Sequence, residues 1–275
     1  MKSSNPILSR WRPGPSDSYQ RDPVNTAAGD YGTSPHASPA DTGRQVRSAS
    51  LTMNDVITRT ASTLGVVALM AVLSWLLLPV DEANLGRSYG IAVAAALIAF
   101  VLSIIQAVKP TPAPALILGY AAFEGVFLGV FSSAVSTHIA PGVVGQAVLG
   151  TFAVSAGTLI AYRMRWIRVT QRFAGFVGAA TMGFLLLLIA DALFSAFGAG
   201  NGLGFHSGGL GIVFGLVGIV LGAAFLALDF KQVEDAIAHG APPKAAWLAA
   251  FGLTTTLVWI YLEVLQVLTI FKSDN

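Results

Sequence analysis

An all-α bundle of seven membrane-spanning helices is the fold class predicted by this sequence, and three observations predict it. Hydrophobic residues fill 54% of the 275 positions and charged residues only 11%, against about 25% charged in an ordinary soluble domain. Mean hydropathy is +0.68. Seven apolar segments of spanning length succeed one another, and none shows the alternation of a membrane barrel strand. Segments of that length must satisfy their own backbone in hydrocarbon, and helices do so.

The elements follow in order. Residues 1–52 are rich in Ser, Pro, Gly, Asp and Arg, lack apolar periodicity and contain no signal-peptide core. Such a composition buries too little surface to offset ordering entropy, so a disordered cytoplasmic tail is expected. The membrane domain is placed at 53–275. Thr52-Met-Asn-Asp55 reads as its capping-box start, with Asp in place of the usual Glu or Gln. Helices are expected near 57–79, 89–108, 115–136, 142–162, 173–197, 209–230 and 246–271. Pro79 with Asp81 and Glu82 ends the first, and Lys109 to Pro114 separates the second from the third. Pro141-Gly142, an Arg cluster from 163 to 172, a Gly-rich stretch from 198 to 209, and Gly240-Ala-Pro-Pro243 divide the rest.

Charge placement carries topology. With seven spans, 14 of the 16 Lys and Arg fall on one side, and only Arg87 and Lys272 on the other. The positive-inside rule then puts the N-terminus in the cytoplasm and the C-terminus outside, in a multi-pass protein of the plasma membrane. The basic balance does not imply nucleic acid as a partner; the expected surroundings are membrane lipid. Gly125/Gly129, Gly211/Gly215 and Gly218/Gly222 are i, i+4 pairs, the spacing that lets helix backbones approach closely. Two consecutive pairs in the sixth segment mark it as the expected central helix.

Four acids lie within the apolar segments: Glu124, Asp191, Asp229 and Glu263. An Asp at a helix centre costs roughly 2.5–3.5 kcal/mol on insertion scales, so such residues mark ion paths, proton relays or interhelical locks. Catalysis is not expected. The chain has no Cys, and none of its four His lies in an apolar run, which removes thiol and Ser-His chemistry and clustered zinc ligands. Neither Asp191 nor Asp229 stands in a Gly-x-Gly-Asp setting. The last span has no Lys before Lys272, and no phosphate-binding loop is present. No cofactor is expected. A carboxyl surrounded by hydrocarbon holds its proton near neutral pH, the more so beside a second carboxyl. It yields that proton to a hard cation such as Ca²⁺, which prefers carboxylate oxygen.

Leu228-Asp-Phe-Lys-Gln-Val233 closing the sixth span and Trp259-Ile-Tyr-Leu-Glu-Val-Leu265 in the seventh resemble the paired signatures of the Bax inhibitor-1 family, the transmembrane Bax-inhibitor-motif proteins. Phe123-Glu-Gly-Val-Phe-Leu-Gly129 resembles a further element. The resemblance covers about 55–271 and has the look of the bacterial branch. It implies six helices around a central hydrophobic one and a pH-sensitive calcium leak. It also implies an acidic dyad in the last two helices, gated by protonation and matched here by Asp229 and Glu263. These two would also be the Ca²⁺ ligands, with Glu124 and Asp191 as pore-lining candidates. The alternative it implies is a regulatory protein that binds and restrains a membrane protease or another membrane-protein partner, with the tail as docking element. The second acid is Glu263 where the family usually has Asp. The two acids also stand 34 positions apart (263 − 229). For straight helices meeting at Gly240–Pro243 that spacing offsets them by roughly 13 Å, so pairing requires an uneven connection or a broken helix.

Overall fold

The structure, a computed structural model, describes residues 50–139, 141–197, 204–205 and 207–273. The expected tail, up to residue 49, lies outside the described residues. Seven helices run α1 Met53–Leu77, α2 Leu85–Val108, α3 Pro114–His138, α4 Val143–Arg163, α5 Gln171–Ala196, α6 Gly208–Ala238 and α7 Ala245–Ser273. Each is long and apolar enough to cross a membrane, and no strand occurs among the described residues.

Local chemistry sets the boundaries. The Thr52 side chain accepts from the Asp55 amide, and the Asp55 carboxylate accepts from the Thr52 amide, so the expected capping box opens α1. Pro114 stands in the first turn of α3, where its missing N–H costs nothing. Gly142 precedes α4 with φ +77°, and Gly240 turns the chain after α6 with φ +65°, a conformation that side chains with a Cβ rarely adopt. Helix α6 does not stop near residue 230 as expected but continues to Ala238. Val233 is buried there, Ile237 packs on the core, and Lys231 pairs with Asp235 one turn on at 2.6 Å.

The central helix is α7, not α6. Half of the α7 span is buried, and α1, α3, α4 and α6 all pack against it. Helix α6 turns Leu210, Val213, Leu216 and Val220 outward. Its glycines mark the face that meets α7 rather than a central position. A Cβ on Gly215, Gly218 or Gly222 would run into Val267, Glu263 or Ile260 of α7, respectively. Gly211 is buried on the same helix. The pair on α3 works differently, because there the approach is between backbones. A Cβ on Gly125 would lie 2.5 Å from the Val67 carbonyl oxygen, and one on Gly129 would lie 2.2 Å from that of Ala71.

The remaining helices are peripheral. Helix α2 packs on α3 along Ala92, Ala95 and Ala99, and α5 packs on α6. The α5 seam is aromatic: Phe184 stacks on Phe214 of α6 at 4.3 Å and faces Trp259 of α7 at 5.9 Å. The end of the bundle that carries the Arg cluster is tied together by the start of α1. Leu51 donates its amide to the Ala241 carbonyl, and Arg59 donates to the Pro243 carbonyl at 2.6 Å while lying over the Trp247 ring.

Gly129→Ala is expected to destabilise the bundle by about 1–3 kcal/mol, the range for overpacking against unyielding backbone. Gly157→Ala, where a Cβ meets nothing within 4 Å, should leave stability unchanged or raise it by about 1 kcal/mol. Thermal unfolding of the two variants in the same detergent checks the contrast.

Candidate functional site

Asp229 and Glu263 occupy the seam between α6 and α7, but at different levels. Asp229 is half-buried, and its Oδ2 accepts a 2.6 Å hydrogen bond from Thr256 Oγ1. A Cβ on Gly252 would come within 3.3 Å of Asp229 Oδ1, so the absence of a side chain at 252 makes room for the carboxylate. Glu263 is 8% exposed. Its Oε1 accepts from the indole N–H of Trp259 at 3.1 Å, while its Oε2 is buried with no hydrogen-bond partner. The carboxyl lies flat on Gly218, where a Cβ would stand 2.4 Å from Glu263 Cδ.

The dyad is therefore not formed. On α7, Thr256, the partner of Asp229, and Glu263 are separated by two turns, about 10 Å along the axis. On α6, Gly218 and Asp229 are three turns apart, about 16 Å. Both helices are continuous through these positions, so neither the uneven connection nor the helix break that pairing requires is present. The offset agrees with that expected from loop length. Among the described residues no three His, Cys, Asp or Glu side chains are grouped to hold a metal ion. As placed, Asp229 and Glu263 do not share a cation.

The other two acids sit elsewhere. Glu124 is half-buried on α3, beside Gly125 and one turn past Tyr120, whose ring meets Phe251 of α7 edge-on at 5.2 Å. Its carboxyl carries no hydrogen bond to a described residue. Asp191 is buried near the end of α5, the helix that packs mainly on α6 and reaches α7 through Phe184 and Trp259.

The acids have neutral partners that do not stand out among the charged residues of the sequence. Thr254, Thr255 and Thr256 stand in a row in an apolar span, and three consecutive hydroxyls there were a readable signal. Thr254 donates to Thr63 of α1 at 3.0 Å, and Thr256 donates to Asp229. Further along, Tyr261 and Ser132 of α3 share a 2.6 Å hydrogen bond. Nothing in the sequence around Trp259, by contrast, indicates that its N–H holds Glu263.

Gly218→Ala should destabilise the native chain by about 1–3 kcal/mol by displacing the Glu263 carboxyl. The same change in a Glu263→Ala background should cost less than half as much, since the obstructing group is gone. A double-mutant cycle on thermal unfolding measures that coupling; equal costs in both backgrounds would show that the carboxyl does not rest on Gly218.

A family model described as Bax inhibitor 1 like matches residues 5–273. The match begins well before α1 and so takes in the N-terminal segment that the motifs left uncovered. No curated protein matches the chain. With seven membrane-length helices among the described residues, and a family match over nearly its whole length, the chain belongs to the Bax inhibitor 1 like family and is a multi-pass membrane protein.

Proposed function

We propose that this protein is a calcium leak of the plasma membrane, conducting Ca²⁺ down its gradient under the control of protonation at Asp229 and Glu263. The observation that carries the reading is the α6–α7 seam. Two carboxylates lie along it inside membrane-length helices, and neither has a Lys or Arg partner among the described residues. Acids so placed need a proton or a cation as counter-charge. Because they stand at different levels, they act as two successive control points rather than one shared proton. Thr256 orients the first and Trp259 the second. Glu124 of α3 and Asp191 of α5 are the other two candidate lining residues.

Reconstituted in proteoliposomes, the protein should release Ca²⁺ at a rate that changes with pH between about 6 and 8, the window of carboxyls in a low-dielectric setting. Raising Ca²⁺ should move that response to lower pH, because the ion and the proton compete for the same oxygens. Asp229→Asn and Glu263→Gln should each reduce flux, and their effects should multiply to within about twofold, as for groups out of contact. Thr256→Val should weaken the response and Thr256→Ser preserve it. If the double substitution leaves flux and its pH response unaltered, the reading fails.

The accompanying topology is an N-terminus in the cytoplasm and a C-terminus outside, drawn from the Lys and Arg bias. The chain has no Cys, so single introduced thiols report sidedness without background. Thr111→Cys, between α2 and α3, should resist an impermeant maleimide in intact cells, and Glu82→Cys, between α1 and α2, should react. The reverse pattern would invert the orientation.

A further inference from the structure

A groove separate from the acidic seam opens on the side of the bundle. Helices α1 and α4 both pack on α7 but not on each other, and between them lies a cavity of about 620 Å³. Its walls run along α1 from Leu64 to Leu76 and along α4 from Val144 to Phe152, with α3 and α7 as its floor. None of the four intramembrane acids lines it.

The chemistry of the walls excludes water and ions. Ser132 and Tyr261 are bonded to each other, and the Thr151 hydroxyl is bonded to the Ala147 carbonyl within its own helix. Every lining hydroxyl is thus engaged, and apart from the Trp75 indole N–H the rest of the wall is hydrocarbon. Water in a cavity needs two to four polar partners, and one indole donor does not supply them. The rims face outward: Val72, Leu76 and Phe152 are all exposed, so the groove is open to the surrounding acyl chains.

The stretch from Leu64 to Leu76 is about 18 Å long at 1.5 Å per residue, close to half the ~30 Å hydrocarbon thickness of a bilayer, so the groove runs the length of one leaflet's acyl chains. Charge chooses the occupant. The groove begins at Val144, three residues after Pro141, and the exposed Lys272 ammonium lies at the Pro141 carbonyl, 3.4 Å away. A lipid phosphate at Lys272 would send its acyl chain into the groove.

We propose that the α1–α4 groove is a phospholipid site, holding one acyl chain between α1 and α4 with its headgroup phosphate at Lys272. The test uses the full chain in nanodiscs containing phosphatidylglycerol with a diazirine at the end of one acyl chain. After irradiation and digestion, mass spectrometry should find adducts at Leu64 and Leu257, the deep end, several-fold above those at Phe176, which projects outward from α5 with 71% exposure. Ala68→Trp and, independently, Val148→Trp should lower the groove adducts to the Phe176 level with unfolding temperatures unchanged. Lys272→Gln should reduce the adducts in the groove but not at Phe176. Groove labelling equal to that at Phe176, or labelling that survives both Trp substitutions, would overturn the proposal.

Discussion

Helix α7 is the element on which the remaining structure depends, because it bonds to three neighbours through side-chain hydroxyls at bilayer depth. Thr254 reaches Thr63 of α1, Thr256 reaches Asp229 of α6, and Tyr261 reaches Ser132 of α3. Within lipid, association of helices has no hydrophobic driving force, so close packing and interhelical hydrogen bonds carry it, at about 0.6–2 kcal/mol for each bond. Close packing joins the fourth neighbour, where Gly150 of α4 accommodates Val264. Helices α2 and α5 make no comparable bond to α7 and are held at second hand, by α3 and α6.

This arrangement explains why the acids are tolerated. The Asp229 carboxylate receives a hydroxyl from α7, and the Glu263 carboxyl receives an indole N–H from its own helix. Glycine supplies the space in both cases, at 252 on α7 for the first and at 218 on α6 for the second. Each acid is thus seated in a notch of the opposite helix. The seating also leaves one oxygen of Glu263 with no donor, and a buried oxygen in that state is costly, on the order of 1–3 kcal/mol. That cost is relieved by any proton or cation that reaches it, which ties the local packing to the ion chemistry proposed.

Much of the fold was legible in the residues. Span lengths set seven helices to within a few residues, the end of α6 excepted, since backbone in hydrocarbon has no alternative to intrahelical bonding. The Thr52–Asp55 box was readable because its spacing is local. The end of α6 was not, because the sequence beyond Asp229 is polar and its helicity comes from the Lys231–Asp235 pair and from contacts of Val233 and Ile237. The central helix was misjudged for a related reason. Small-residue spacing identifies a contact face, but it does not say whether the partner brings backbone, as α1 does to Gly125, or large side chains, as α7 does to Gly218. Of the site, the identities of the acids were plain and their separation followed from loop length. Their hydrogen-bond partners lie on other helices or on another turn, and no local pattern encodes those.

The position of the central helix in the chain has a consequence for biogenesis. Six helices leave the ribosome before the one that joins them. Until α7 is inserted, Asp229 lacks its hydroxyl donor, Ser132 lacks Tyr261, and the glycine notches of α6 stand open to lipid. Helices α1, α2 and α3 can already pack on one another through the α3 glycines and the α2 alanines. The polar side chains that face α7 wait for a partner still being synthesised, and its docking joins the α1–α3 set to α4 and α6.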